Sequence, residues 1–279
     1  MTNCATIDQQ FELTIHDFQL FQKLMYSTVG ILLPEKKIPL VKNRLKKRLV
    51  DLNLNYYGAY YKYLVHANNP DELQICINEL TTNETFFFRH KSHWDFIINN
   101  FIPQWREKNT SSEAVRAWSA ASSTGEEAYS LAIVLRDMFT NKPSSHLVVD
   151  ASDINQDVLS VARKGVYSPY AVQKLTTRCL SEYFIPHSLE NSYQLKSESK
   201  QLVNFSHHNL MTEKVGQQYD LILIRNVLIY FDEESKKTVM GQLDKALKPG
   251  GYIIFGGAET LPALQDKYSY IMPTIYRKK

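Results

Sequence analysis

Four stretches of this sequence carry polar and charged side chains in patterns that packing alone does not explain. The first is Trp118-Ser119-Ala120-Ala121-Ser122-Ser123-Thr124-Gly125-Glu126-Glu127. Strand-forming residues run into small ones and then into a helix, and small residues let a backbone approach a ligand closely, as glycines do in dinucleotide-binding turns. The stretch is not GxGxxG. Two acids crowd the helix start, where a pyrophosphate would be repelled but a ligand bearing an ammonium or sulfonium would not; the plainer reading is that both acids complement the helix dipole. The second is Asp153, which follows Val148-Val149-Asp150-Ala151-Ser152 and lies 28 residues beyond Gly125. An acid ending the second strand of such a unit can accept both hydroxyls of a ribose. The third, DLILIRNVLIYF over Asp220–Phe231, is an apolar strand that ends in Arg225-Asn226 and continues to Tyr230. Polar groups there form either a satisfied internal network or a platform for a nucleoside and the reacting groups. The fourth, LTTNETFFFR over Leu80–Arg89, sets three aromatics in a row among Asn, Thr and Arg. That order fits neither helical nor strand period and suits a segment that packs rings inward and turns polar groups to a cleft.

The elements that must hold these groups are legible from periodicity. Up to about residue 80 the spacing is helical: Phe18, Phe21, Leu24 and Met25; Ile38, Val41, Leu45, Leu49 and Leu52; Tyr57, Tyr60, Tyr61 and Leu64; then Asp71–Leu80 after the turn signal Asn68-Asn69-Pro70. The tyrosines read as core packing. Beyond residue 110, expected strands Val115–Ala121, His146–Ser152, Leu202–Phe205, Tyr219–Ile224 and Tyr252–Phe255 alternate with expected helices Gly125–Phe139, Ile154–Arg163 and Glu233–Leu247. The last helix is closed by Lys248-Pro249-Gly250-Gly251, and Tyr268–Tyr276 is a final extended segment. Repeated β-α-β order argues for a parallel sheet covered by helices. Ser188–Phe205 breaks the rhythm with polar–apolar alternation around a polar turn at Ser197–Lys200, as a small antiparallel insertion would. The expected fold is α/β: a Rossmann-like domain over residues 81–279 with an antiparallel β-subdomain at about 188–205, preceded by an all-α domain over residues 1–80. Ligands of such sheets sit beyond the carboxyl ends of the strands, where the first three stretches fall.

Composition narrows the partners. The 279 residues carry a net charge of only +3, which argues against nucleic acid. Cys4, Cys76 and Cys179 stand far apart without a CxxC pair, which implies a reducing compartment and no structural zinc. His207 and His208 are adjacent, poor geometry for two ligands on one face, so no metal is expected. The opening MTNCATIDQQ lacks a basic n-region and an apolar h-region, and no run approaches the roughly 18 apolar residues of a membrane span. The longest candidate, from Leu221, is cut by Arg225 and Asn226. A soluble, cytoplasmic chain without membrane insertion is expected. Lys42, Arg44, Lys46, Lys47 and Arg48 lie on the solvent side of the stripe Val41, Leu45, Leu49; they form a solvated face or a dock for an acidic partner.

Together the four stretches closely resemble the chemotaxis receptor methyltransferase family, CheR. The pattern TxNxTxFFR is met by Thr81, Asn83, Thr85, Phe87, Phe88 and Arg89, and WSA-x-x-STGEE-x-YS by Trp118–Ser130. The (A/S)-(S/T)-D-I-(D/N) string is met at Ala151–Asn155, RNV-x-IYF at Arg225–Phe231 and LKPGG at Leu247–Gly251. The resemblance implies an S-adenosylmethionine-dependent methyltransferase that esterifies glutamate side chains of membrane-bound chemotaxis receptors, with S-adenosylhomocysteine as product. The acids at the first stretch favour that donor over NAD or FAD. The resemblance also implies cofactor contacts at Asn83, Thr85, Arg89, Glu127, Asp153, Asn209, Leu210, Arg225 and Asn226. It makes Ser188–Phe205 a β-subdomain able to dock a receptor tail peptide, and the basic residues of 42–48 a dock for the receptor's helical cytoplasmic bundle. Two departures stand out: Gly257-Ala258 replaces the family's His-Ser before Glu259, and Ala128 replaces a proline, a benign change because alanine is a good helix former.

For such a reaction a glutamate with a reference pKa of about 4.3 is already ionised at neutral pH, so no general base is needed. Arg89 and Tyr230 are the residues expected to orient the incoming carboxylate. The competing readings are a methyltransferase acting on another protein or a small acid, and a scaffold that binds S-adenosylmethionine without chemistry.

Overall fold

The computed structural model describes residues 11–66, 69–110, 112–141, 143–188, 191–213, 216–259 and 265–279. Cys4, the opening MTNCATIDQQ and Asn68 lie outside the described residues. The chain divides into two compact units: Met1–Thr82 together with Tyr230–Asp232, and Asn83–Ile229 together with Glu233–Lys279.

The first unit contains helices α1 (Ile15–Val29), α2 (Ile38–Asp51), α3 (Tyr57–His66) and α4 (Pro70–Leu80). Their starts follow local chemistry: Thr14 caps α1 by accepting the Asp17 amide, and Asn69 caps α4 by accepting that of Glu72. Gly30, at φ 71°, closes α1 in the left-handed conformation that glycine adopts without penalty. The core is built from the expected stripes, with Phe18, Phe21, Met25, Val41, Leu45, Leu49, Tyr57, Tyr60 and Cys76 fully buried. Tyr57 and Tyr60 are core residues whose hydroxyls are satisfied, by the Lys42 carbonyl and by Glu72 Oε1, each at 2.8 Å. Residues 230–232 join this unit through a bridge between Ile31 and Phe231, the Leu32 amide on the Tyr230 carbonyl, and Tyr26 Oη on Asp232 Oδ2 at 2.8 Å.

The basic face of α2 differs from expectation at two of its five positions. Arg48 donates from Nε and Nη2 to the buried Glu72 carboxylate at 2.9 and 2.7 Å, and from Nη1 to Asp51. Arg44 donates to the carbonyls of Glu79 and Thr81. Both arginines therefore fasten α2 to α4 instead of facing a partner. The spacing along one helix could not show this, because the acid and the carbonyls belong to another.

The second unit starts with a helical stretch to which periodicity assigns no element: α5 (Lys91–Phe96), a π-helical turn (Ile97–Phe101) and α6 (Ile102–Lys108). Pro103 is the second residue of α6 and directly follows the π-helical turn. There follow β1 (Val115–Ala120), α7 (Glu126–Met138), β2 (Leu147–Asp153), α8 (Gln156–Lys164), β3 (Val166–Tyr167), α9 (Pro169–Val172), α10 (Thr177–Tyr183), β4 (Phe184–Pro186), β5 (Tyr193–Leu195), α11 (Ser197–Lys200), β6 (Val203–His207), β7 (Tyr219–Ile224), α12 (Glu233–Ala246), β8 (Leu247–Phe255), β9 (Tyr268–Met272) and β10 (Ile275–Lys278).

Among the described residues a seven-stranded sheet runs in the order β6-β2-β1-β7-β8-β10-β9. The first five strands are mutually parallel, and β10 and β9 add to β8 antiparallel. The expected single extended segment at Tyr268–Tyr276 is thus a hairpin, turned at Pro273-Thr274, with Thr274 at φ 66°. Chain order reverses at β1: β2 and β6 lie on one side of it, β7 and β8 on the other. That is a topological switch point, and the crevice beyond the tips of β1 and β7 is where such a sheet binds ligands.

A three-stranded antiparallel sheet, β3-β5-β4, is also present. Its composition corrects the expected 188–205 insertion. Only β5 comes from that segment; β3 and β4 precede it, and Val203–His207 pairs parallel with β2 at the edge of the main sheet. The polar stretch Ser197–Lys200 is a turn of helix that carries the chain from one sheet to the other, not a hairpin turn. Two-residue strands such as β3 are too short to leave a period in the sequence.

Candidate active site

The tip of β1 sets the geometry. Ala121, Ser123 and Gly125 have φ of 59°, 50° and 94°, so the chain winds tightly before α7 starts. Glycine is required at 125 on two counts: its backbone is left-handed, and a Cβ there would stand 2.9 Å from Ala162 Cβ and 3.0 Å from Phe205 Cζ. This packing draws α8 and β6 against the turn. The Ser123 amide points at Asp153 Oδ2 at 2.8 Å, and the Asn155 amide at Oδ1 at 2.9 Å. Asp153 is buried, and burial raises its pKa while these backbone donors pull it down. The Ile154 amide is a third backbone donor to this carboxylate; a carboxylate offers about four acceptor sites, so capacity remains for a ligand hydroxyl. In phosphate-binding turns the amides converge on the ligand; here the Ser123 amide is committed to a protein carboxylate.

The two acids at the start of α7 part ways. Glu126 is 4% exposed, accepts Thr124 Oγ1 at 2.6 Å, and has its pKa raised by burial. It is a buried structural group, so the expected repulsion of a pyrophosphate by an acid pair does not include it. Glu127 faces β1 and β7 instead. Its Oε1 accepts Ser119 Oγ at 2.7 Å and its Oε2 accepts Arg225 Nη1 at 2.8 Å. Arg225 is 7% exposed; its Nη2 donates to the Arg89 carbonyl, and its guanidinium lies 5.8 Å from the centroid of the Trp94 ring. Burial lowers the Arg225 pKa, and the charges of Glu127 and Glu259 oppose that shift. Two of the three nitrogens of Arg225 are thus held in an internal network.

The segment from Asn83 to Arg89 is sewn to these tips. The Asn83 carbonyl accepts Ser123 Oγ at 2.9 Å, the Phe88 amide donates to Ser130 Oγ at 3.0 Å, and the Arg89 carbonyl also receives Trp94 Nε1 at 3.0 Å. Phe87 is fully buried, edge-on to Tyr167 and Phe184 with centroids 4.9 and 5.3 Å away. Phe87 thus anchors the segment on β3 and β4, while main-chain atoms of Asn83, Phe88 and Arg89 bond to Ser123, Ser130 and Trp94. Arg89 is half-buried, with Nη1 on the Glu84 carbonyl at 3.1 Å. Past β6, the His208 amide on the Asp153 carbonyl brings Asn209 and the buried Leu210 close to Asp153.

These bonds form two groups, Asn83 with Asp153 through Ser123, and Glu127 with the Arg89 carbonyl through Arg225, and the chain carries Thr85, Asn209, Leu210 and Asn226 alongside. Tyr230 belongs by its contacts to the first unit. A residue with no assigned role in the sequence reading is Glu259. It is 4% exposed and accepts the amides of Asn226, Ile229 and Gly256. Its signal in the sequence is the acid that closes Gly256-Gly257-Ala258-Glu259, just after β8.

Residue types and placement fit a nucleoside cofactor with a cationic end. Asp153 offers paired acceptors, Ser119–Ser123 are small, and Ser122 Oγ and Arg225 Nε are buried at the tips of β1 and β7 without a hydrogen-bond partner. Among the described residues no cluster of metal-ligating side chains occurs, and no helix is long and apolar enough to cross a membrane.

The chain matches the family model described as CheR methyltransferase, SAM binding domain, over residues 83–277, and that described as CheR methyltransferase, all-alpha domain, over residues 16–81. It is 32% identical to a chemotaxis protein methyltransferase of Borreliella burgdorferi over 99% of both chains. The protein of that name from Escherichia coli is 35% identical over 93% of this chain and 89% of its own. The one from Salmonella typhimurium is 35% identical over 96% and 92%.

Proposed function

The chain belongs to the CheR methyltransferase family, and on that premise we propose that it transfers the methyl group of S-adenosylmethionine to glutamate carboxylates of chemotaxis receptors, giving glutamyl methyl esters. It is an S-adenosylmethionine-dependent methyltransferase. The observation that carries the reading is the convergence of Glu127, Asp153 and Arg225 at the tips of β1, β2 and β7, on either side of the switch point.

Asn83, Thr85, Arg89, Glu127, Asp153, Asn209, Leu210, Arg225 and Asn226 would hold the cofactor. Bound there, S-adenosylmethionine supplies an electrophilic methyl group on a sulfonium. The protein's work is to position and to exclude water. Asp153, fixed by backbone amides of Ser123, Ile154 and Asn155, accepts a hydroxyl at a set place. Glu127 offers negative charge, tempered by Arg225 so that a cation is held without being trapped. A guanidinium carries five donors; Arg89 has one on the Glu84 carbonyl, and the others steer the acceptor carboxylate. Because the acceptor is anionic and the donor cationic, charge disappears along the reaction, and a dry cleft favours that change over water. Reacting atoms held about 3–3.5 Å apart then supply most of the acceleration.

The protein works in the cytoplasm, where it meets receptor signalling bundles through Lys42, Lys46 and Lys47 on α2. A receptor tail peptide adds to an edge of the β3-β5-β4 sheet, by main-chain pairing. The test is transfer of tritiated methyl to receptor-containing membranes. Label released as methanol by mild base supports the ester. Base-stable label points to another acceptor chemistry, and saturable cofactor binding without label makes the chain a scaffold. Arg89→Ala with normal turnover and normal cofactor affinity would remove that residue from the site.

A further inference from the structure

The Glu259 carboxylate joins two strand tips. Oε2 accepts the Asn226 amide at 2.9 Å and the Gly256 amide at 2.6 Å, and Oε1 accepts the Ile229 amide at 3.3 Å. Asn226 and Ile229 belong to the loop after β7, and Gly256 directly follows β8. Asn226 has φ of 61°, a left-handed conformation that asparagine adopts more readily than most non-glycine residues. Its amide is fixed by Glu259. Gly256 has no room for a side chain: a Cβ would stand 2.6 Å from the Asn226 amide nitrogen and 2.7 Å from Glu259 Oε2. The glycine and the carboxylate are thus two halves of one device.

What the device holds matters for the chemistry. Arg225, immediately before Asn226, carries the ion pair with Glu127, and Tyr230 immediately follows Ile229. A carboxylate is suited to the task because it is acceptor-only and can take several amides at once, and bonds from amides to a charged acceptor are about twice as strong as neutral ones. It also places a second negative charge near the buried guanidinium of Arg225.

We propose that Glu259 is a positioning residue for methyl transfer: with Gly256 it staples the loop 225–229 in the one conformation that presents Arg225 and Asn226 to the cofactor. The inference rests on the cofactor site proposed above. It also gives a reason why the Gly-x-x-Glu frame persists in this chain although Gly257 and Ala258 stand where the family has His and Ser.

The test uses the full chain and reads three quantities: the Kd for S-adenosylhomocysteine, steady-state kinetics on receptor membranes, and exchange of the individual amides of Asn226, Ile229 and Gly256. Glu259→Gln keeps an oxygen for the Asn226 and Gly256 amides and presents an NH2 to that of Ile229. It is expected to raise Kd about tenfold, the loss of one bond to a charged acceptor, and to release the Ile229 amide selectively. Glu259→Ala and Gly256→Ala should release all three amides and raise Kd on the order of a hundredfold, as several such bonds are lost. In each, KM for the cofactor rises and kcat falls, while KM for receptor membranes stays unmoved. A merely structural role would lower the melting temperature without that split. Wild-type affinity in Glu259→Ala, or fast exchange of the three amides in the wild type, overturns the proposal even if a variant fails to fold. Failure of the wild type to bind S-adenosylhomocysteine instead defeats the proposed function, and the exchange pattern still reports on the staple.

Discussion

Replacing Glu127 by glutamine removes one charge and keeps the shape of the side chain. In the folded protein its carboxylate receives Arg225 Nη1 at 2.8 Å, and the Arg225 side chain is 2% exposed. Two unit charges about 4 Å apart interact by about 4 kcal/mol at an effective dielectric of about 20. Breaking a buried pair from one side costs about 3–5 kcal/mol, because the remaining charge is left without compensation. The Arg89 carbonyl, the Trp94 ring and the charge of Glu259 still face the guanidinium, so the loss belongs at the low end, about 3 kcal/mol. For a unit of this size that lowers Tm by about 6–12 °C. The assay is denaturant unfolding, without cofactor, of the wild type, Glu127→Gln, Arg225→Met and the double variant. The double variant should be more stable than Glu127→Gln, with a coupling energy of about 2 kcal/mol, within the range of contacting pairs. A Glu127→Gln protein within about 0.5 kcal/mol of wild type, with additive effects in the cycle, would refute the reasoning: Glu127 would then be a ligand group and nothing more.

Four other outcomes follow from the geometry. His93 is buried, its Nε2 is 2.9 Å from Thr274 Oγ1, and burial lowers its pKa to about 3. Below the unfolded value of about 6.5 the unfolded chain therefore binds the extra proton first, and stability falls toward acid pH by up to about 1.4 kcal/mol per pH unit between those two values. His93→Gln should flatten that part of a stability–pH curve. Gly125→Ala should cost at least about 2 kcal/mol, from left-handed strain plus the contact its Cβ would make with Ala162, and would be read by thermal melting. On α2, Lys42→Ala and Lys47→Ala should leave stability within about 0.5 kcal/mol and raise KM for receptor membranes in a salt-dependent way. Glu72→Ala, which strands Arg48 and Tyr60, should destabilise the helical unit by about 3 kcal/mol.

Much of this protein is written in local sequence. The stripes of α1 to α4 predict their helices because burial of one face imposes a period of about 3.6 residues. The strands β1, β2 and β7 and the helices α7 and α12 fall within a few residues of their expected limits, for the same reason and because caps and turns are short-range. The polar groups at the tips of β1, β2 and β7 are likewise legible, since polar residues at the end of an apolar strand demand a partner or a ligand.

Which partner each group takes is decided elsewhere. Glu126 and Glu127 are neighbours in sequence, yet one is a buried structural acid and the other pairs with Arg225, a residue 98 positions away. Arg44 and Arg48 look like members of a solvent face until α4 brings Glu72 and two carbonyls against them. The three-stranded sheet is collected from segments up to 29 residues apart (166 to 195), each too short to show a period. Local sequence specifies the direction in which a side chain leaves its helix or strand. Its charge environment and hydrogen bonds depend on atoms that only the folded chain brings within a few ångströms, and at that range Coulomb energy and hydrogen bonding determine what the group can do.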